Sequence, residues 1–331
     1  MTIYSMQVAF RYEFDRPTGA GRQLFRILPA SLPGKQVLLG AELSVDPEPE
    51  ESGRFTDFFG TEVIELVMPP GLTELELVLE AEVERLVLDS GLDISAPLDQ
   101  LAAEIAAYRG LDPAAPHHFL APTARIPFVA EIADYARKVT AGAVSTRAAV
   151  EMLGLALHRD MTFDAEATDV HTTPAEAFAL KRGVCQDFAQ IMVGALRSLS
   201  IPAAYVGGYL RTLPPPGQPR LVGADASHAW LRAWCGTETG WVDYDPTNAC
   251  YALGDHVDIG FGRDYDDVAP VLGMMRLDGN QAGSHSVDIE ERPLAPVASP
   301  RPGEVAINLT AGPHARLAQP AADPAAELGE P

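Results

Sequence analysis

Alternation of apolar and polar positions dominates the N-terminal part of the chain. Apolar side chains recur at about every second residue, as in half-buried strands, in four segments: Tyr4–Tyr12, Glu42–Asp46, Thr61–Val67 and Leu75–Glu84. Runs such as Pro69-Pro70-Gly71 separate these segments and predict turns. We therefore expect residues 1–92 to form an antiparallel β-sandwich domain.

Apolar residues then change to helical spacing. Helix candidates begin near Pro97, Ile126 and Ser145, so residues 93–160 are expected to form a helical segment that joins the sandwich to a core and packs on it. The amphipathic helix predicted at 185–199 carries apolar residues on one face: Phe188, Ile191, Met192, Ala195 and Leu199. Strand candidates follow at 203–211, 227–234 and 240–244. These elements predict a core domain over residues 161–295.

Composition limits the partners and the compartment. The 331 residues carry 24 Lys and Arg against 46 Asp and Glu, a formal charge of −22 that argues against nucleic acid or an anionic membrane as a partner. The N-terminus shows no secretory signal, and no apolar run approaches the ~20 residues that a membrane span needs. Three cysteines, an odd number, do not suggest a disulfide framework, so we expect a cytoplasmic protein. The segment 296–331, rich in Pro and Ala, is expected to be mostly disordered.

Cys185 is the first candidate for chemistry. It follows Gly183-Val184 directly before the predicted helix 185–199, whereas Cys235 and Cys250 lie near a strand and a loop. The unpaired N–H groups and the positive dipole end of a helix N-terminus favour a thiolate, which is the nucleophilic form. The backbone N–H of Cys185 is also well placed to donate to an oxyanion at the attacked carbonyl. Gly183 is expected to allow a tight approach, with an unusual φ, before the helix.

A base and an orienting carboxylate follow Cys185 in chain order. His228 lies on a predicted strand, on the same face as Trp230, where its imidazole can activate the thiol. Asp243 and Asp245 share a face of the next strand, and spacing alone does not choose between them. The orienting carboxylate is expected within ~3.5 Å of His228.

Metal and redox sites receive little support. Cys235, Cys250 and His256 match no zinc spacing, and the chain has no pair of cysteines two residues apart. We therefore expect no metal ion and no cofactor.

Several motifs, in order, resemble the bacterial transglutaminase-like domain, a family described as cysteine proteases of papain-like fold. They are Gly183–Ala189, Gly207-Gly208-Tyr209, Ala224–Trp230, Gly240–Asn248, Gly262–Tyr265 and Asp267–Pro270. Tyr12–Arg16 and Phe55–Gly60 look like the N-terminal β-domain of the same family, so the resemblance covers about residues 1–295. Where many relatives carry His after the Cys-Gln-Asp-Phe-Ala run, this chain has Gln190.

The resemblance implies a fold and a set of site residues. The expected fold is α+β: an antiparallel β-sandwich, then a papain-like transglutaminase core in which a helix bearing Cys packs on an antiparallel sheet bearing His and Asp. The family's triad becomes Cys185, His228 and Asp245, which favours Asp245 over Asp243. The implied activity is acyl transfer on an amide or peptide bond through a thioester, with hydrolysis as the first expectation. The alternatives are a transglutaminase-type transamidase, or a non-catalytic module that binds a peptide or protein on the same fold.

Overall fold

The N-terminal part of the molecule is built from strands, as the alternating pattern predicts. The computed structural model describes residues 1–86, 91–213, 225–292 and 308–310. The first strands are β1 (Thr2–Phe14), β2 (Gly21–Phe25), β3 (Gln36–Asp46), β4 (Glu51–Thr56), β5 (Glu62–Met68) and β6 (Glu74–Arg85). In β6, Leu75, Leu77 and Val83 are buried while Glu74 and Glu80 are exposed. The apolar residues therefore face a core and the acidic ones face water.

Helices fill the middle of the chain, and two of them begin at capping side chains. The helices are α1 (Leu98–Ala107), a short 3₁₀ helix (Pro116–Phe119), α2 (Ala130–Val139), α3 (Thr146–Asp160), α4 (Pro174–Leu180) and α5 (Cys185–Ser198). The Ser145 hydroxyl accepts the N–H of Ala148, and Thr173 and Glu176 form a reciprocal capping box. Among the described residues, no helix has the length and apolar character to cross a membrane.

The core sheet follows the central helix. After the short parallel pair β7 (Thr162–Phe163) and β8 (Arg182–Gly183) come β9 (Ala203–Leu210), β10 (Ala226–Trp234), β11 (Trp241–Asp245), β12 (Cys250–Tyr251) and β13 (His256–Gly262). Five of these strands form an antiparallel sheet in the order β12-β11-β10-β9-β13. β13 is absent from the predictions above, although Val257, Ile259 and Phe261 alternate along it.

The two faces of the core sheet have different neighbours. Helix α5 packs its apolar residues against one face, where Leu231 of β10 and Ala203 of β9 are fully buried. His228, Trp230 and Arg232 occupy the other face, in the period of two that a strand imposes. Because Trp230 rests on Gly208 of the neighbouring strand, a Cβ at Gly208 would lie 2.3 Å from the indole ring.

The chain ends by returning to the N-terminal sheets. After α6 (Tyr265–Val268), β14 (Val271–Met275) pairs with β2, and β15 (Gln281–Arg292) pairs with β1. The first sheet has the order β15-β1-β6-β3-β16, where β16 is Asn308–Thr310, and the second has the order β14-β2-β5-β4. The range 161–295, predicted as core, thus contains two strands that pair with the N-terminal sheets. Apart from residues 308–310, the tail prediction for 296–331 lies outside the described residues.

The two N-terminal sheets enclose one apolar core and also contact the core sheet. Val8 and Leu79 of the first sheet pack in the same cluster as Phe25 and Leu66 of the second, which confirms the predicted sandwich. Val257 of β13 belongs to this cluster as well. Part of β13 is therefore packed in the sandwich interior.

Candidate functional site

Cys185 is the first residue of α5, and a buried carboxylate fixes the turn before it. The Asp187 Oδ2 atom accepts the Val184 N–H at 2.8 Å and the Thr168 hydroxyl at 2.6 Å. Gly183 has no positive φ, so the conformational reason expected for it is wrong. Its requirement is space, because a Cβ there would lie 2.5 Å from Asp187 Oδ2. The thiol is thus held at the N-terminus of α5.

His228 joins the thiol to a carboxylate. Its Nε2 lies 2.8 Å from Asp245 Oδ2, which confirms the geometry expected for the orienting residue. Its side chain also hydrogen-bonds Cys185, and because Nε2 faces Asp245, the other ring nitrogen, Nδ1, is left for the thiol. Only 7% of the His228 side chain is exposed. One imidazole therefore contacts both other residues of the predicted triad.

Asp245 contacts His228, whereas Asp243 has other partners. Asp243 Oδ1 accepts from Arg232 Nε at 3.0 Å, and its other oxygen binds the ammonium of Lys35. Asp245 is fully buried and accepts from His228. The structure thereby separates two aspartates that the strand period places on the same face.

Known proteins resemble this chain in sequence along most of its length. Residues 4–84 match the family model of the bacterial transglutaminase-like N-terminal region, and residues 133–246 match that of the transglutaminase-like superfamily. The chain is 31% identical to the uncharacterized protein ML0607 of Mycobacterium leprae over 267 residues, which is 80% of this chain and 89% of that protein. The chain belongs to the transglutaminase-like superfamily.

Two further relatives show how far the likeness extends. The uncharacterized protein Rv2569c of Mycobacterium tuberculosis is 36% identical over 167 residues, which cover 48% of this chain and 53% of that protein. The match thus spans about half the length of that relative. A crystal structure from Cytophaga hutchinsonii, named a "putative cysteine protease", is 21% identical, covers 89% of this chain and 92% of its own, and has a TM-score of 0.69. Its likeness establishes the papain-like α+β fold, sandwich included.

Electrostatics in this transglutaminase-like site favour an ion pair. Burial lowers the pKa of His228, but hydrogen bonds and charge interactions with Asp245 and Cys185 outweigh it and raise the pKa to about 10. Burial raises the pKa of Asp245, yet its hydrogen bonds, chiefly from His228 and His256, hold that pKa well below its usual range. At neutral pH the imidazole is therefore protonated beside an ionised carboxylate.

Two residues that the sequence analysis did not assign to the site also bind Asp245. His256 Nε2 lies 3.0 Å from Asp245 Oδ2, and Asn248 Nδ2 donates to the same oxygen at 2.7 Å. Asn248 directly follows Asp245-Pro246-Thr247, so its proximity to Asp245 along the chain could have indicated this contact. His256 comes from β13, and the alternation of that strand predicts its face but not its partner.

One ring nitrogen of His228, one of His256 and a carboxylate oxygen of Asp245 lie within 4.8 Å of one another, a spacing at which a metal ion could bind. Hydrogen bonds of 2.8 and 3.0 Å account for the same arrangement without an ion. Each imidazole presents a ring nitrogen to one carboxylate oxygen, as a protonated donor does. We therefore interpret this group as a hydrogen-bonded cluster.

The other two cysteines lie apart from the nucleophile position. Cys235 is fully buried, and burial raises its pKa to about 12. Cys250 is partly buried, and burial raises its pKa to about 11. Both thiols are held in the unreactive protonated form at neutral pH. Cys185 differs because His228 is bound to it.

Two tyrosines line the apolar side of the nucleophile. Cys185 packs with Tyr205, Tyr265 and Ala229, and the two phenol rings meet edge to face at 6.3 Å. Burial raises the pKa of Tyr205 well above its ordinary value, and the charge of Cys185 raises it further. Tyr205 therefore stays a neutral phenol beside the thiol.

A separate pocket of about 560 Å³ lies between the N-terminal sheets and the loops before α2 and α6. Its lining residues are Arg26, Asp57, Phe58, Phe59, His118, Ala121, Pro122, Thr123, Arg263, Asp266 and Asp267. None of the residues around the thiol lines it. The cluster of Cys185, His228 and Asp245 and this pocket are therefore different places on the molecule.

Proposed function

We propose that this protein is a thiol-dependent acyl-transfer enzyme that acts on an amide or peptide bond and is mainly hydrolytic. The observation that carries the proposal is His228, whose imidazole is hydrogen-bonded to Cys185 and to Asp245 at once. Nucleophile, base and orienting carboxylate then stand in the relation that covalent acyl transfer requires.

Acylation begins with the thiolate of Cys185. Its sulfur attacks the carbonyl carbon, and the carbonyl oxygen takes the negative charge, towards which the Cys185 N–H can donate. As the C–N bond breaks, protonated His228 gives its proton to the departing amine. The products of this half are a thioester on Cys185, a free amine and a neutral imidazole.

Deacylation returns the enzyme to its first state. Neutral His228 takes a proton from water, the hydroxide adds to the thioester carbon, and the C–S bond breaks. The acid is released, the sulfur regains its negative charge and the imidazole is again protonated. Throughout, Asp245 accepts a hydrogen bond from the Nε2–H group of His228. This contact keeps Nδ1 directed at the reacting atoms.

A transamidase is the second candidate, and the family match of residues 133–246 favours keeping it. Both reactions share the thioester, and they differ in whether water or an amine attacks it. A non-catalytic binding module has less support, because each triad position holds a chemically competent residue. A peptide-like substrate, a cytoplasmic location and the lack of a nucleic-acid or membrane partner stay predictions.

Alkylation of the thiols tests the proposal first. Iodoacetamide at neutral pH is expected to modify Cys185 much faster than Cys235 or Cys250, because only Cys185 is bound to an imidazolium. Mass spectrometry of tryptic peptides measures the three rates, and Cys185→Ala is the control. Equally slow labelling of all three cysteines would contradict an activated nucleophile.

The acyl-enzyme tests the choice of acceptor. p-Nitrophenyl acetate is expected to acylate Cys185 with release of one p-nitrophenolate per protein, and the thioester should then decay in water. If added glycine amide or butylamine leaves the decay rate unchanged, hydrolysis is the activity; if amine accelerates it strongly, the transamidase is correct.

A further inference from the structure

We propose that His256 is a positioning residue for the triad, and that the N-terminal domain holds His256 in place through β13. The proposal rests on the proposed function, since it names the residue that aims the carboxylate of that site. His256 touches neither Cys185 nor the substrate position in any described contact; it acts through Asp245.

The contacts of Asp245 show why a second imidazole matters. Its Oδ1 is fixed by the backbone N–H groups of Thr247 and Asn248 at 2.9 and 3.2 Å. Its Oδ2, which must point at His228, also accepts from His256 and Asn248. Since Asn248 and Thr247 belong to the turn directly after Asp245, His256 is the contact that ties this oxygen to a distant strand.

His256 is itself held rigidly. It is 5% exposed, and Trp230 meets its ring edge to face at a centroid distance of 5.1 Å. The same indole lies 6.1 Å from the ring of His228. Because Asp245 is an ionised carboxylate, the Nε2 atom of His256 must carry the proton that joins them. The tautomer and the orientation of His256 are thereby both set.

The sheet brings β13 to Asp245 by curving. β10 and β9 lie between β11 and β13 in the sheet, yet Asp245 of β11 and His256 of β13 are in hydrogen-bond contact. Asp243, two residues before Asp245, and Asp258, two residues after His256, both bind Lys35. Side chains thus bridge the two strands at two successive positions of the same face.

The second bridge comes from the N-terminal domain. Lys35 Nζ lies 2.7 Å from Asp258 Oδ1, and Arg85 Nη1 lies 2.8 Å from Asp258 Oδ2. Gln36 adds two hydrogen bonds to the backbone of Asp258. Its Nε2 donates to the Asp258 carbonyl at 2.8 Å, and its Oε1 accepts the Asp258 N–H at 2.9 Å. Arg85 and Asp258 are nearly completely buried. The strand that carries His256 is therefore anchored to the sandwich two residues away.

The charged and titratable groups around His228 come from three elements. Cys185 faces it from α5, Asp245 from β11, and His256 reaches it through Asp245 from β13, with ring centroids 5.9 Å apart. Asn248 and Trp230 are the neutral neighbours. A change at His256 therefore acts on the protonation of His228 chiefly through Asp245, the carboxylate that both imidazoles bind.

The experiment compares two full-length variants that differ in one N–H donor. His256→Gln keeps an amide donor, and His256→Met has a similar length without one. NMR titration of the His228 ring nitrogens in the intact protein measures its pKa, and circular dichroism establishes that each variant is folded. In His256→Met we expect this pKa to move from about 10 towards the ordinary value of 6.5, and in His256→Gln to stay near that of the wild type.

The direction of the change decides the outcome. A raised His228 pKa in His256→Met would overturn the proposal, because it would mean that His256 only competes with His228 for Oδ2. An unchanged pKa would overturn it too. Acylation by p-nitrophenyl acetate should slow about tenfold in His256→Met and recover in His256→Gln. A tenfold loss is smaller than the whole contribution of general acid–base catalysis, because His228 itself is still present.

Lys35→Met tests the link to the N-terminal domain. The His228 pKa should fall in this variant. The fall should be smaller when His256→Met is already present, because both changes alter the contact between β13 and Asp245. Arg22→Met, which removes an exposed ion pair with Glu65, is the matched control and should change nothing. Additive effects of Lys35 and His256 would contradict the link.

The titration does not depend on turnover. If the wild-type protein formed no acyl-enzyme but His256→Met lowered the His228 pKa, the proposed function would fail and the positioning role would stand. If the acyl-enzyme formed and the pKa did not respond, the reverse would hold.

Discussion

The two faces of the core sheet are both buried, yet only one of them combines apolar residues with a group of buried charges. The face towards α5 is apolar, with Ala203, Leu231 and Ala233 packed against the helix. The other face carries charged and polar residues that are less than 10% exposed: Arg232, Asp245, His256 and Asp258. The apolar face places the helix that begins with Cys185, and the polar face supplies that cysteine with its partners.

The cost of the polar face explains how it is arranged. Removing charges from water is unfavourable by several kcal/mol per ion unless partners replace the water. Here Lys35 and Arg85 enter from the sandwich and pair with Asp243 and Asp258. The N-terminal domain is thus part of the electrostatic environment of the site. The following changes test this division between the faces.

The largest expected effect distinguishes the two aspartates of β11. Asp245→Asn should lower acyl transfer by about 10³–10⁴-fold, because the amide no longer fixes the tautomer of His228. Asp243→Asn should lower acyl transfer far less and should lose about 3 kcal/mol of unfolding free energy, since Lys35 and Arg232 lose a buried partner. Steady-state kinetics and urea unfolding of both variants measure this. Equal activity losses would remove the distinction.

A smaller effect is expected on the apolar face. Leu231→Ala should destabilise the protein by about 2–5 kcal/mol, since Leu231 is fully buried and its truncation leaves a cavity. The alkylation rate of Cys185 in the folded variant should stay near that of the wild type. Urea unfolding and iodoacetamide labelling report the two quantities separately. A large loss of thiol reactivity with little loss of stability would contradict the division.

The smallest effect is a pH dependence. The pKa of His228 is raised from 6.5 to about 10, so the protonated imidazole is present at neutral pH. Amide acylation should fall roughly tenfold per pH unit above about 10, because the leaving amine then lacks its acid. The stability that the raised pKa contributes is fully present below pH 6.5 and is lost as pH rises through about 10.

Activity profiles and urea unfolding at several pH values measure these changes, with His228→Ala as the control. If activity already fell near pH 6.5, the ordinary pKa of histidine, the ion pair between His228 and Cys185 would not form.

Most of the fold could be predicted from the sequence. Strict alternation identified the strands that contain Leu75 and Val63, and Ser145 identified the start of α3. Predictions were weaker where elements are short or end the chain. β14 and β15 pair with the N-terminal sheets, and local patterns carry no information about such distant pairing.

The sequence by itself determined the residue types of the site and their order. A cysteine at a helix start, a histidine on a strand and two aspartates on the next strand follow from local periodicity, because backbone geometry fixes which face each residue occupies. Motif resemblance then favoured Asp245.

Only the tertiary structure decided which carboxylate meets the imidazole and what holds it there. The curvature of the sheet brings β13 to β11 across two intervening strands, so Asp245 binds both His228 and His256, while Asp243 binds Lys35 of another domain. A period of two specifies the face of a side chain but not the partner across a curved sheet, since that partner depends on how all the strands and the sandwich pack together.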